Sequence, residues 1–207
     1  MKLNKSKIIA VSFVIPAKNE EQTLETLFTK IDKVMSEIKK GYEIIFVDDG
    51  STDKTFLKMQ SLHKKYPKIV SVIKHRGNWG KSIALQSGFK LAKGEIVITM
   101  DADLQDDPSE IPNFLKKIDE GYDLVSGWKK IRHDPISKTL PSKFGNKLAV
   151  FLTGVKLHDF NSGFKAYKLQ VVKNLNLYGE LYKFIPIIAG KKNYKIAEIV
   201  VMHKKRE

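Results

Sequence analysis

The feature that most constrains the fold is a regular alternation of short apolar runs with longer amphipathic segments over the first 126 residues. In the amphipathic segments the apolar residues recur at helical spacing, as in Leu24, Leu27, Phe28 and Ile31. This alternation predicts an α/β fold with a mostly parallel sheet and helices on both faces. The predicted strands are Ile8–Ile15, Glu43–Val47, Ile69–Ile73, Glu95–Met100 and Tyr122–Ser126. The predicted helices are Glu20–Lys39, Asp53–Lys65, Gly80–Ala92 and Pro108–Asp119.

The alternation weakens from Gly127 onward, where the pattern is more irregular. The expected elements there are a basic loop over 128–140, an amphipathic helix over Ser142–Leu152, a mixed segment Asp159–Tyr167 and a strand-like segment Tyr194–Met202. No internal repeat or linker interrupts the 207 residues. We therefore predict one domain, 1–207, with a first half 1–127 and a second half 128–207.

The net charge of +14 is concentrated in the second half of the chain. Residues 1–127 hold 20 basic and 18 acidic side chains (net +2), and residues 128–207 hold 17 and 5 (net +12). A lysine-rich composition alone would spread this excess evenly, so the second half is expected to meet an anionic partner: phosphate, an anionic membrane surface or nucleic acid. No apolar run reaches the ~20 residues needed to span a bilayer. The lack of cysteine excludes disulfides and thiolate chemistry.

Polar clusters follow three of the predicted strands, at the points where those strands end. They are Lys18-Asn19-Glu20, Asp48-Asp49 and Asp101-Ala102-Asp103. The carboxyl ends of parallel strands meet at one edge of a sheet, so the clusters are expected to converge there. Asp101 and Asp103, with Gln105, are oxygen donors suited to a hard divalent cation. The paired carboxylates of Asp48 and Asp49 can accept hydrogen bonds from a base or a ribose.

Several common motifs are excluded by their spacing. The segment Gly77–Ser82 is not a phosphate-binding P-loop, because His75 stands where that motif requires glycine. Gly80 and Lys81 at a helix start could still meet a phosphate. The sequence has no GxGxxG, HExxH or GxSxG pattern. Its basic residues are not interleaved with aromatic residues as in nucleic-acid-binding modules.

Taken together, four segments resemble the inverting family 2 glycosyltransferases with the A-type fold: PAKNE (16–20), VDDGSTD (47–53), NWGKSIAL (78–85) and DADLQDDP (101–108). The resemblance implies a single A-type glycosyltransferase domain with a Rossmann-like sheet. Three later segments are similar to the subgroup that transfers a sugar to polyprenyl or dolichyl phosphate: VSGWKKIRHD (125–134), LPSKFGNKLAVFLTGVKLHDFNSGFKAY (140–167) and LYGELYKFIP (177–186). Tyr182-Lys183 stands where that subgroup often has His-Arg, and Ser162 stands where cysteine is frequent. Relatives commonly continue beyond the position of Glu207 into interfacial or transmembrane helices.

The resemblance also implies roles for individual residues. The nucleoside would be held by Pro16, Ala17, Asn19, Glu20, Asp48 and Asp49, with Lys81 and Asp101 near the nucleotide. A Mg²⁺ or Mn²⁺ ion would be bound by Asp101, Asp103 and Gln105. The acceptor would be bound by Lys129, Lys130, Arg132, Lys143, Ser162, Lys165 and Glu180. The reaction centre would contain Asp103 and Asp159 as catalytic residues.

The implied function is metal-dependent, inverting transfer of a sugar from a nucleotide-sugar to polyprenyl phosphate, with a UDP-sugar favoured over GDP-mannose. The protein would act peripherally on an anionic membrane surface, at its cytoplasmic face. Two alternatives stay open: a transferase of the same family acting on a glycan, lipid or protein hydroxyl, and a catalytically weak nucleotide-sugar-binding module. Nucleic-acid binding rests on charge alone, so no nucleic-acid partner is predicted.

Overall fold

The structure, a computed structural model, describes residues 9–130 and 157–204. The strands in those ranges are β1 Val11–Ala17, β2 Tyr42–Asp48, β3 Val70–Lys74, β4 Ile96–Thr99, β5 Leu124–Trp128, β6 Lys165–Lys168 and β7 Ile196–Val200. The α-helices are α1 Leu24–Ile38, α2 Thr55–Lys65, α3 Lys81–Leu91, α4 Ile111–Asp119, α5 Leu169–Lys173 and α6 Ile185–Lys191. Two 3-10 turns precede α4 and α6, namely Pro108–Glu110 and Leu181–Phe184.

All seven strands form one sheet with the order β3-β2-β1-β4-β6-β5-β7. Strand β6 is antiparallel to both of its neighbours, and every other strand pair is parallel. The prediction of an α/β fold with a mostly parallel sheet is therefore confirmed. Strands β1, β2 and β4 end at the same edge of the sheet, which is where the polar clusters of the sequence follow them.

Helices cover both faces of the sheet and bury two apolar clusters. Along β1, Phe13 and Ile15 pack into the cluster that contains residues of α1, α2 and α4. Val14, between them, packs into the cluster on the opposite face with residues of α3, α5 and α6. A strand buried on both faces has no polar side, which explains why β1 is a continuous apolar run in the sequence.

The elements predicted for the first 126 residues are all present, with ends shifted by a few residues. Strand β1 continues through Pro16 to Ala17, which pairs with Asp48 on β2. The pairing of β1 with β4 ends at Val14, so the proline lies beyond the part of β1 that has neighbours on both sides.

The second half contains a strand that the sequence did not predict. Strand β6, within and just beyond the segment interpreted as mixed, inserts between β4 and β5. Its four residues begin and end with lysine, and Lys165 is only 3% exposed, so no alternation of apolar and polar residues marks it. The predicted helix Ser142–Leu152 lies outside the described residues. Within 9–130 and 157–204, no helix is both long enough and apolar enough to cross a membrane.

Candidate active site

A cleft of about 230 Å³ opens at the carboxyl edge of the sheet, where β1, β2 and β4 end. The residues that line it come from the loops after these strands and from the start of α3. They are Pro16, Ala17, Lys18, Glu20, Asp49, Lys81, Asp101, Ala102 and Asp103. Seven of the residues predicted from the sequence to bind the nucleotide or the cation are thus brought together, although they span most of the first half.

Two further predicted nucleotide residues, Asn19 and Asp48, shape the loops around the cleft. Asn19 has a left-handed backbone (φ 56°), and its side-chain oxygen accepts a hydrogen bond from the Thr52 N–H at 2.8 Å. The Asn19 N–H in turn donates to the Ser51 hydroxyl at 3.0 Å. Asp48 is fully buried, and its Oδ1 accepts a hydrogen bond from the Ser51 N–H at 3.1 Å. The Asn19 bonds join the loop after β1 to the loop after β2, and the Asp48 bond holds the turn of the second loop.

Asp49 connects the cleft to the start of α3. Its carboxylate accepts hydrogen bonds from the backbone N–H groups of Trp79 and Gly80, both at 2.9 Å. It also lies 2.9 Å from Nδ1 of His75, a buried residue whose ring stacks on Trp79. At neighbouring Gly50 (φ 74°), a Cβ would come within 2.5 Å of the Gly77 backbone, so only glycine allows this approach. The sequence assigned His75 no site role, and its contact with Asp49 arises only in the fold.

Asp101 and Lys81 form a close ion pair on the floor of the cleft. Burial alone would raise the pKa of Asp101, but the ammonium groups of Lys81 and Lys129 outweigh it and hold that pKa below its usual value. Gly163 also packs against the Asp101 carboxyl, where a Cβ would come within 2.6 Å of Oδ2. Asp101 is therefore ionised, paired with a lysine and closely packed against a glycine.

Asp103 lies on the same loop, but its pKa is shifted in the opposite direction from that of Asp101. Burial and the negative charge of Asp101 raise its pKa above the usual value for aspartate. A divalent cation between the two carboxylates would relieve this repulsion, so the pair fits such an ion. Within residues 9–130 and 157–204 no three His, Cys, Asp or Glu side chains are grouped to hold a metal, so an ion here would need oxygen ligands of other kinds. Gln105 supplies one amide oxygen on this loop, and its amide nitrogen donates to the Lys204 carbonyl at 3.3 Å.

The basic residues after β5 differ in their placement. Lys129 is buried, and its ammonium lies 2.8 Å from the buried carboxylate of Asp106. This ion pair holds the loop that follows Asp103. Lys130 is exposed, with its ammonium 5.9 Å from the centre of the Trp128 ring. Two other predicted acceptor cations lie outside the described residues: Arg132 and Lys143.

The other predicted acceptor residues, taken with the predicted catalytic residue Asp159, fall into two places. Asp159, Ser162 and Lys165 are buried together beside Gly163, next to the Asp101 floor. Glu180 is 69% exposed, forms an ion pair with Lys183 at 2.5 Å and does not line the cleft.

The segment that carries Glu180 still contacts the start of α3, next to the cleft, through Tyr182. The Tyr182 N–H donates to the Ser82 hydroxyl at 3.0 Å, and its ring centre lies 5.3 Å from the Lys81 ammonium. An aromatic ring thus stands beside the Lys81–Asp101 pair, at a position where the resemblance led us to expect histidine.

The pKa of Lys165 is expected to be low enough for its titration to be followed through the ¹³Cε resonance. Burial lowers it to about 8, and its ammonium donates to the backbone carbonyls of Phe160 and Ser162. These charged donor bonds are complete below that pH and are lost as the pH rises through about 8. We expect one lysine ¹³Cε resonance to titrate near this value and to be missing from the spectrum of Lys165→Arg. Titration of every lysine near its ordinary value of 10.5 would contradict the placement of Lys165.

Comparison with known proteins identifies the class to which this fold and site belong. The model of the glycosyl transferase family 2 matches residues 12–175, and the chain belongs to that family. Among its relatives is the dodecaprenyl-phosphate galacturonate synthase of Rhizobium johnstonii, which is 35% identical over 96% of this chain and 60% of the relative. The undecaprenyl-phosphate 4-deoxy-4-formamido-L-arabinose transferase of Shewanella sediminis is 38% identical over 95% of this chain and 59% of that protein.

These relatives confirm the resemblance to polyprenyl-phosphate sugar transferases that the sequence motifs predicted. The chain spans about three fifths of their length.

Solved structures confirm the A-type glycosyltransferase fold. Mannosyl-3-phosphoglycerate synthase from Rubrobacter xylanophilus superposes with a TM-score of 0.74 at 16% identity, over 96% of this chain and 68% of that one. Glucosyl-3-phosphoglycerate synthase from Mycobacterium tuberculosis, in complex with Mn²⁺ and UDP-glucose, gives 0.71 at 22% identity, over 96% and 72%. At these identities the likeness concerns the fold alone.

Proposed function

We propose that this chain transfers a sugar from a nucleotide-sugar to a polyprenyl phosphate. The observation that carries the proposal is the cleft in which Asp101 and Asp103 meet Lys81 and Asp49, in a chain whose relatives are named for polyprenyl-phosphate substrates. In this proposal Asp49 and the residues after β1 bind the nucleoside, and Lys81 lies near the diphosphate. A uridine nucleotide is favoured, and guanosine is the alternative.

A divalent cation, Mg²⁺ or Mn²⁺, fits the proposal because two carboxylates and one amide oxygen share the loop after β4. Asp101, Asp103 and Gln105 would hold it, and substrate phosphates would complete its ligand shell. A bound cation supplies Lewis-acid stabilisation of the negative charge that develops on a diphosphate leaving group. The M. tuberculosis fold neighbour crystallised with Mn²⁺ and UDP-glucose is consistent with this choice.

The proposed reaction is one direct displacement. An oxygen of the acceptor phosphate attacks the anomeric carbon, the bond from that carbon to the diphosphate oxygen breaks, and the nucleoside diphosphate leaves with its electron pair. The configuration at the anomeric carbon is thereby inverted. A phosphate monoester with a second pKa of about 6 is already an oxyanion at neutral pH. It requires positioning and charge compensation more than a general base.

We assign that positioning to the second half of the chain. Acceptor contacts are proposed for Lys129, Lys130, Arg132, Lys143, Ser162, Lys165 and Glu180. Asp159, buried near Asp101, is proposed to orient groups at the reaction centre instead of taking a proton. The net charge of +12 over residues 128–207 supports an anionic acceptor.

The test is transfer of labelled sugar from a panel of UDP- and GDP-sugars into the organic phase. The reaction contains undecaprenyl phosphate, detergent and Mg²⁺ or Mn²⁺. We expect cation-dependent label in the lipid from one donor. Label in a glycan or glycoside acceptor instead would favour the hydroxyl-directed alternative. Nucleotide binding without transfer to any acceptor would favour a binding module.

We further propose that the segment from Leu177 to Ala189 faces an anionic bilayer. Tyr178 and Phe184 are exposed apolar residues (68% and 45%) that flank Lys183. Because each surface lysine contributes about 1 kcal/mol to attraction by anionic lipid, Lys183→Glu should weaken binding to phosphatidylglycerol vesicles roughly tenfold or more. The measurement is vesicle co-sedimentation.

The matched control for this prediction is the same charge reversal on the opposite face of the sheet. Lys64 is an exposed residue of α2, whose buried residues pack into the other apolar cluster. Lys64→Glu should leave vesicle binding nearly unchanged. Equal losses for the two variants would mean that net charge, and not this segment, decides binding.

A further inference from the structure

Three polar side chains form a row across β6, β5 and β7. Ser126 on β5 pairs in register with Lys165 on β6 and with Glu198 on β7. Residues paired directly across strands project from the same face of a sheet. All three are largely shielded from solvent: Ser126 and Lys165 are buried, and the Glu198 side chain is 11% exposed. Burying three polar side chains inside an α/β domain costs free energy unless their polar atoms form hydrogen bonds.

The polar atoms of this row form hydrogen bonds with the backbone of the segment from His158 to Ser162. The Glu198 carboxylate accepts hydrogen bonds from the N–H groups of His158, at 3.0 and 3.1 Å, and of Asp159, at 2.9 Å. Its Oε2 also lies 2.7 Å from Nδ1 of His158. The Ser126 hydroxyl donates to the Asp159 carbonyl at 3.3 Å.

The third member of the row completes the anchorage. The Lys165 ammonium donates to the Phe160 carbonyl at 3.3 Å and to the Ser162 carbonyl. Asp159 is thus held through both its backbone N–H and its backbone carbonyl, and its Oδ1 accepts a hydrogen bond from the Asn161 N–H at 3.0 Å.

The anchored segment leads directly to the floor of the cleft. Gly163 follows it, packs against the Asp101 carboxyl, and accepts a hydrogen bond from the Thr99 hydroxyl at 2.8 Å. The position of the row therefore fixes where Asp159 lies relative to Asp101.

We propose that Glu198 is the positioning residue for Asp159 and that Ser126 and Lys165 complete its support. The proposal rests on the proposed function, since it concerns an aspartate assigned to the reaction centre. Glu198 acts through the backbone of Asp159 and has no contact with the cleft. Its carboxylate is required because three N–H donors converge on it, and an ionised carboxylate offers about four acceptor sites and no donor. Glutamine at the same position would turn an NH₂ group toward those donors.

The test compares Glu198→Gln with Asp123→Asn. Asp123 precedes β5 at the opposite end of the same strand pair, and its carboxylate accepts hydrogen bonds from the Lys195 N–H and the Lys168 ammonium, both at 2.8 Å. It performs the same kind of anchoring away from Asp159. For Glu198→Gln we expect kcat to fall about 10²-fold, the cost of a misplacement of about 1 Å, with the donor KM unchanged. Asp123→Asn should keep kcat within about twofold.

A second variant covers the case in which Glu198→Gln does not fold. Ser126→Ala removes one hydrogen bond to the Asp159 carbonyl and should lower kcat roughly threefold to tenfold at unchanged donor KM. Hydrogen exchange of the Asp159 amide provides a readout that does not depend on transfer. It should accelerate in Glu198→Gln and stay at the wild-type rate in Asp123→Asn.

The possible outcomes separate this proposal from the proposed function. Unchanged kcat in folded Glu198→Gln, or equal losses in Glu198→Gln and Asp123→Asn, would overturn the positioning role. If the wild-type chain transfers no sugar, the proposed function fails, and the exchange rate of the Asp159 amide still decides whether Glu198 holds that residue. An unchanged rate in Glu198→Gln would then refute the anchorage.

Discussion

Replacing Asp103 by asparagine is expected to lower sugar transfer to polyprenyl phosphate by about 10²- to 10³-fold. A metal acting as a Lewis acid contributes several kcal/mol to the stabilisation of a transition state, and the change removes one of two carboxylates that would hold it. The measurement is the rate at which label enters the organic phase at saturating donor and Mn²⁺.

The same substitution should not weaken the fold, which separates its functional effect from a structural one. Burial and the charge of Asp101 raise the pKa of Asp103 above its ordinary value, so its ionised form is less favourable here than in water. Neutral asparagine removes that repulsion, and the Tm without metal should stay the same or rise slightly. Added Mn²⁺ should raise the Tm of the wild-type chain more than that of Asp103→Asn.

Asp107→Asn is the matched control for this prediction. Asp107 lies on the same loop and forms an ion pair with Lys204 at 2.7 Å, and its side chain caps the turn at Ser109, which asparagine can also do. Transfer by Asp107→Asn should stay within a few-fold of wild type. Comparable losses for the two variants would show that net charge, and not a specific carboxylate, is what the reaction needs.

The second large effect is expected from Gly163→Ala, which changes no charge and no hydrogen-bonding group. The new Cβ would lie within 2.6 Å of Oδ2 and 2.8 Å of Cγ of Asp101, closer than real Cβ contacts. Asp101 is also held by its ion pair with Lys81, so the carboxyl must shift or that pair must open. A displacement of about 1 Å at a reacting centre costs about 10²-fold in rate, and we expect a loss of transfer of that size.

The control for this substitution is Gly77→Ala. A Cβ on Gly77 would meet only the Trp79 ring nitrogen, at 3.9 Å, which is an ordinary contact. Transfer and Mn²⁺ binding should both be nearly unchanged in Gly77→Ala and should both be impaired in Gly163→Ala. Full activity in Gly163→Ala would mean that Asp101 need not stay where the structure has it.

The first half of this protein could be predicted well from its sequence because its signals are local. Each strand of that half is an apolar run, and each polar cluster stands directly after a strand. Parallel topology is then enough to bring Asp49, Asp101 and Asp103 to one edge of the sheet. The Lys81–Asp101 pair follows the same logic, since the start of α3 lies at that edge.

The second half could not be predicted to the same depth, because its polar residues are fixed by partners far along the chain. Lys129 is predicted to contact an acceptor phosphate, but nothing in the sequence indicates its ion pair with Asp106. Glu198 carries no sequence signal, since a glutamate within a short strand is usually a solvent-facing residue. Only the folded chain, in which β7 pairs with β5, brings Glu198 to the backbone N–H of Asp159.

The antiparallel strand β6 also determines the order in which this molecule can assemble. Strand β4 ends at Thr99, yet β6, its neighbour on the side away from β1, begins only at Lys165. Strand β5 joins β4 and the earlier strands only through β6. During synthesis, one edge of β4 must stay unpaired until residues 165–168 have emerged, and pairing across such a separation is slow. A nascent chain stopped before that point would present an apolar strand edge to its surroundings and would be prone to aggregate. The sheet that the first half begins is therefore completed by β6, a strand of the second half.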